Sequence, residues 1–236
     1  MSDAPRNADS WAKPVSTLTV TEAPEGAPNL VDGKRLLSPI QGFGKMWQKT
    51  YKVRLEGSDT TPEAVVVEWR DNFASFWPKG NDFYPPLTGL EPGEVALIKA
   101  AGPGGMKFKT GVMVLYSDDV SFTLMTPEGH MFAGWITFSS HEEDGTAVAQ
   151  TQVLMRAQDP LSEMGLAMGG HRMENRFWEQ TLQNLAEHLG TPDGQVSTEV
   201  TCVDRRRQWS HAKNVRHSVA IRSTLHMLKP GKKSSG

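Results

Sequence analysis

Sulfur chemistry is nearly absent from this chain. Its 236 residues hold one cysteine, Cys202, so no internal disulfide can form. A lone cysteine reads as a small buried or half-buried residue. Long apolar runs are missing as well. Stretches such as Val65-Val66-Val67 are only a few residues long, whereas a membrane span needs roughly 20. The start, Met1-Ser2-Asp3-Ala4-Pro5-Arg6-Asn7, has no apolar signal core, so a cytoplasmic location is expected. Several catalytic signatures are also absent. There is no Gly-x-Ser-x-Gly elbow and no His-Glu-x-x-His. Gly42-Phe43-Gly44 lacks the third glycine of a dinucleotide fingerprint. Gly102-Pro103-Gly104-Gly105 lacks the Gly-Lys-Ser/Thr of a phosphate loop. The seven histidines are scattered, and His211 and His217 have no metal-ligand spacing around them, so neither a metal nor a cofactor is expected.

What remains is a globular composition, 38% hydrophobic and 22% charged, with a mean hydropathy of −0.44 that implies some solvated chain. The net charge of −2 is unevenly spread. Residues 1–190 carry 16 Lys and Arg against 24 Asp and Glu, a balance of −8; residues 191–236 carry 9 against 3, a balance of +6. That asymmetry marks 191–236 as a distinct basic extension. Residues 1–33 are rich in Ala, Pro, Ser, Thr and Asp. So few apolar groups do not offset the entropy of ordering, and the segment reads as a flexible arm. Trp11 and Leu18-Thr19-Val20 are its candidate docking points. Residues 34–190 form the body.

In the body, Tyr51, Val53 and Leu55 alternate with Lys52, Arg54 and Glu56, the period of a half-buried strand. Thr61-Pro62 offers an N-cap and a first-turn proline. Val65-Val66, Trp69, Phe73 and Phe76-Trp77 follow at helical spacing up to Pro78. Residues 79–93 form a Pro/Gly loop carrying Phe83 and Tyr84. Strand-like runs follow at 94–99, 109–117, 120–126, 130–139 and 146–157. The separating turns are short, so neighbouring strands are antiparallel. Asp159-Pro160 then opens a long helix. Met164, Met168, His171, Asn175, Trp178, Leu182, Leu185 and Leu189 share one face. Gly169-Gly170 weaken it locally, each by about 1 kcal/mol against alanine, and a kink or a close backbone contact is expected there. Gly190 ends it.

The element order, together with Thr126-Pro127-Glu128-Gly129-His130, Gly134-Trp135 and a last helix containing Trp178, resembles the START-like (helix-grip) superfamily. That group includes pollen-allergen-type proteins, polyketide cyclases and lipid-transfer domains. The resemblance covers about residues 46–190; the two terminal segments depart from the shorter family pattern. It implies an α+β helix-grip fold, in which a long helix closes a curved antiparallel sheet over an apolar cavity. It also implies a hydrophobic small molecule as partner. The expected lining is Trp69, Phe73, Trp77, Tyr84, Tyr116, Met125, Trp135, Met168, His171 and Asn175, with Phe83 and Tyr84 on a natural lid.

Three polar features stand out against that lining. His171 and Asn175 interrupt the apolar stripe, where they either satisfy neighbouring backbone groups or orient a ligand's polar end. His130 is either a strand-end residue beside a turn or a cavity group. Arg156 shares a face with Gln150 and Gln152, which is either solvated or a polar cavity floor. The alternative to a binder is a cyclase- or dehydratase-like enzyme with His171 or His130 as general acid/base. A third reading is an interaction module using Arg205-Arg206-Arg207-Gln208-Trp209, although nucleic acid or a membrane surface is not the expected partner. Strand 109–117 is apolar on both faces: Val112, Val114 and Tyr116 on one, Met113 and Leu115 on the other. It therefore needs cover on both sides, from the N-terminal arm, the C-terminal extension or a second subunit in a homodimer.

Overall fold

The computed structural model describes residues 8–102, 105 and 107–222. Its strands are β1 (Met46–Arg54), β2 (Asp82–Tyr84), β3 (Val95–Ala101), β4 (Lys107–Ser117), β5 (Ser121–Met125), β6 (Phe132–Glu143), β7 (Thr146–Ala157) and β8 (Val196–Asp204). Its helices are α1 (Pro62–Asp71), α2 (Pro160–Gly165) and α3 (His171–His188). The strands form one antiparallel sheet in the order β2-β3-β4-β5-β6-β7-β1-β8. Strands β3 to β7 are joined by short turns and therefore lie side by side. β1 closes onto β7, pairing Tyr51 with Thr151 and Lys49 with Val153. This is the helix-grip arrangement: a curved sheet gripping one long helix.

Local chemistry sets the helix starts. The Thr61 side chain accepts from the Ala64 amide, with Pro62 in the first turn. The Asp159 carboxylate accepts from the Leu161 and Ser162 amides and caps α2. Across α3, Leu182, Leu185 and Ala186 are fully buried against the sheet.

The long helix is not continuous. A π-type segment, Leu166–Gly170, separates α2 from α3, and Gly169 has φ 110. That left-handed backbone is open to glycine at little steric cost. The break rotates the first turns out of line with α3. Met164 and Met168 therefore do not share the buried face expected of them; Met168 is 80% exposed.

Residues 11–31 and 196–204 both contact the body. Leu18 and Val31 are buried with Val95, Leu97 and Met113 on the sheet's outer face, and Trp11 packs on Tyr116 at 4.7 Å. The N-terminal segment thus covers the second apolar face of β4. Few apolar residues suffice because each falls on an apolar strand already fixed by the sheet. Further along the chain, Val196, Thr198, Val200 and Cys202 lie in β8, beside β1. Leu225, His226, Met227 and Leu228 of the basic extension lie outside the described residues.

Candidate functional site

The inner face of β1 carries Trp47, Lys49, Tyr51 and Val53, and α3 lies over it. Lys49 is completely buried. Its Nζ donates to Glu174 Oε2 at 2.6 Å and to Asn175 Oδ1 at 2.8 Å. The Tyr51 hydroxyl donates to the same Asn175 oxygen at 2.9 Å. These four side chains satisfy one another at the helix–sheet interface. Burial pushes the Glu174 carboxyl above its ordinary range, against the pull of Lys49. Burial first, then Glu174, pushes the Tyr51 phenol far up. One helical turn before Asn175, the His171 ring packs edge-on against Trp47 at 4.6 Å. Burial, then Lys49 and Lys45, holds that imidazole down at about 4.

Around this polar island the interior is aromatic. Phe138 stacks on Phe122 at 4.8 Å and meets Phe73 at 4.9 Å, Trp69 at 5.2 Å and Trp178 at 5.5 Å. Trp77 meets Phe83 and Phe177, both at 5.0 Å. Rings therefore occupy the space between helix and sheet. Within this region six buried polar atoms have no hydrogen-bond partner: Trp69 Nε1, Trp77 Nε1, Thr110 Oγ1, Ser140 Oγ, Thr151 Oγ1 and His171 Nδ1. The strand register puts Thr151 opposite Tyr51, Ser140 opposite Ala149 and Thr110 opposite Ile98, all on the inner face.

The structure divides the expected lining. Trp69, Phe73, Trp77, His171 and Asn175 come together between α1, α3 and the sheet. Tyr84 packs with the outer-face cluster. Tyr116 sits under Trp11 and bonds Asp118. Met125 pairs with Met113 and Trp135 on the outer face. Met168 is in the exposed break. His130 lies in the turn before β6, where its Nδ1 accepts from the Phe132 amide; burial holds it at about 4. For Met125 and Trp135 the physical reason is strand parity; for Tyr116 it is a register shift between Val114 and Tyr116, which turns the ring away from the face of Val112 and Val114 that alternation assigned it. On β6, residues 134, 136 and 138 face inward, so 135 faces out. Lys49, Tyr51, Glu174 and Thr151 were not among the expected site residues. A signal for Lys49 existed: the alternation of Tyr51, Val53 and Leu55, carried one step back, places it on the buried face.

Arg156 is buried on the outer face, under the chain that follows β8. It donates to the Gly44 carbonyl at 2.6 Å, the Arg206 carbonyl at 2.8 Å and Asp204 Oδ2 at 2.6 Å. Arg206, then Arg156, holds the Asp204 carboxyl well below the usual range. Arg207 pairs with Glu163 at 3.0 Å. Two of the three consecutive arginines are thus engaged within the molecule.

Two clefts open on the surface, both away from the helix–sheet interior. The larger, about 660 Å³, lies beside the loop after α3 and is lined by Lys52, Arg54, Glu143 and residues 190–195. Hydrogen bonds from His141 and then Lys52 hold Glu143 down to about 2. The smaller, about 290 Å³, lies between residues 19–22 and 86–88. Among the described residues no group of three His, Cys, Asp or Glu could hold a metal ion, and no helix is long and apolar enough to cross a membrane.

No family model matches the sequence, and no curated protein matches it. Solved structures do. The Mycobacterium smegmatis protein Ms6760 is 14% identical, with a TM-score of 0.44, over 61% of this chain and 90% of that one. Ara h 8.0201 is 11% identical, with a TM-score of 0.43, over 62% and 99%. The di-domain ARO/CYC StfQ of the steffimycin biosynthetic pathway is 8% identical, with a TM-score of 0.45, over 62% and 52%. The chain has a helix-grip fold. Its own strand order and gripped helix carry that statement, and likenesses this distant carry nothing about activity.

Proposed function

We propose that this protein binds an apolar small molecule bearing a few hydrogen-bonding groups, between α3 and the inner face of the sheet. The observation that carries the reading is the set of six unpartnered polar atoms in that aromatic interior. A buried donor or acceptor left unmade costs about 1–3 kcal/mol, so a core that keeps six has groups to offer a guest. Thr151 and His171 flank the Lys49 island and would orient the guest's polar end; Trp69 and Trp77 offer indole N–H groups along its length. Rings fill the space, so binding requires some of them to move. The break at Leu166–Gly170 is a natural hinge for the start of α3, and Trp77 is only partly buried.

Neither alternative has a comparable observation behind it. Neither histidine has a carboxylate partner, and both are held neutral near pH 7. Arg206 and Arg207, which an interaction module would use, are already paired with Asp204 and Glu163.

The test is native mass spectrometry and organic extraction of the purified chain, with titration by an environment-sensitive apolar dye. Binding should be saturable and should weaken at least several-fold in Thr151→Val and Trp69→Phe, which remove two of the unpartnered groups, the first at nearly constant volume. A chain that extracts empty and shows no saturable dye binding would sink the reading.

A further inference from the structure

The four groups that do satisfy one another point to something separate from ligand binding. Lys49 and Asn175 come from different elements, β1 and α3, and meet in a dry interface. An ion pair there is a poor source of stability, because desolvation offsets most of its attraction. It does, however, bring together the groups that an acyl transfer uses. An amine nitrogen lies 2.8 Å from a carboxamide oxygen. The Tyr51 hydroxyl donates to that same oxygen, where negative charge would develop if the carbon were attacked. A carboxylate touches the amine at 2.6 Å, able to take and return its protons.

We propose that Lys49 and Asn175 become joined by an intramolecular isopeptide bond once the chain has folded. Glu174 takes a proton from the Lys49 ammonium. The free amine then attacks Asn175 Cγ, which a turn of the carboxamide brings into line. Lys49 Nζ forms a bond to Cγ, and the carbonyl electrons move to Oδ1, held by Tyr51. Glu174 passes a proton from the attacking nitrogen to the amide nitrogen. The Cγ–Nδ2 bond breaks and ammonia leaves, carrying off the first proton as ammonium. Glu174 ends as the carboxylate it began as, and no oxidant or co-reactant is consumed. Holding the two groups in contact supplies the effective concentration that makes an otherwise slow aminolysis feasible. Burial favours the neutral acid that the step needs, as the raised Glu174 carboxyl shows. The bond would fasten α3 to β1 immediately after the Gly169 break.

The decisive measurement is the intact mass of the full chain, followed by peptide mapping after proteolysis. The folded wild-type chain should be lighter than its sequence by one ammonia, with a branched peptide linking the segments that contain Lys49 and Asn175. Glu174→Gln and Lys49→Met should show no linked peptide. A wild-type mass equal to the sequence mass means a hydrogen-bonded network only and overturns the proposal. So does an ammonia loss without a branched peptide, which would be a succinimide at an asparagine. The wild-type result decides the matter even where a variant fails to fold, and it does not depend on whether a ligand binds.

Discussion

Replacing Arg156 by methionine should loosen the C-terminal part of the chain from the body. The guanidinium is almost fully buried and supplies three close hydrogen bonds, to the carbonyls of Gly44 and Arg206 and to the Asp204 carboxylate. Methionine fills much of the same volume but donates to none of them. Breaking a buried charged pair from one side costs about 3–5 kcal/mol. Here the lower end applies, because Asp204 keeps Arg206 as a partner and is reached by solvent. In a chain of this length 1 kcal/mol moves the melting midpoint by roughly 2–4 °C, so a loss of about 3 kcal/mol lowers Tm by about 6–12 °C. Urea titration followed by tryptophan fluorescence would measure it. Trp209 packs on Phe43 at 5.2 Å close by and should report the loosening directly. The control is Arg206→Ala. That side chain holds the same carboxylate but is 87% exposed, so its loss should be nearly silent. Equal effects of the two variants, or a loss under about 1 kcal/mol for Arg156→Met, would refute the view that burial decides what this clasp is worth.

The remaining expectations concern pH and the N-terminal segment. His130 and His171 are both held at about 4 in the fold, largely by burial. The unfolded chain binds their protons below about pH 6.5, so stability should be flat above that value and fall as pH drops towards 4. His130→Asn keeps an acceptor for the Phe132 amide and removes one titration. Its stability-against-pH curve should be shallower between pH 4 and 6.5, and an unchanged slope there would count against a buried neutral imidazole. Leu18→Ala removes a side chain buried against Val95, Leu97 and Met113 and should cost about 2–4 kcal/mol. Limited proteolysis should then cleave the first 33 residues faster. If cleavage is already fast in the wild type, the segment does not stay docked in solution.

Much of the framework was legible in the chain alone, because local rules govern it. Period-2 alternation located the strands, short turns made them antiparallel, and Thr61, Asp159 and Gly190 bounded helices. The two-faced apolar pattern of β4 announced a second covering layer. The sequence could not say which segment provides it, since Leu18 and Val31 are separated from Met113 by most of a hundred residues. The candidate site was only half legible, for a related reason. His171 and Asn175 showed as breaks in an apolar stripe, and Trp69, Phe73 and Trp77 as its aromatic company. Tyr84, Tyr116, Met125 and Trp135 also carry large apolar surface, but strand parity, and at Tyr116 a bulge in β4, turned them to the other face. Met168 was lost to the site when Gly169 took a left-handed turn that spacing alone does not reveal.

By itself, then, the chain's residue pattern determined a run of antiparallel strands followed by a helix with one apolar face, because hydrophobic period and turn chemistry act within a few residues. Only the tertiary structure decided what the helix holds on to. Lys49 comes to Asn175 and Glu174 across 125 and more residues, and Arg156 comes to Asp204 across 48. Such meetings depend on sheet register and helix rotation, which no local pattern encodes, and low-dielectric burial then makes those few contacts matter.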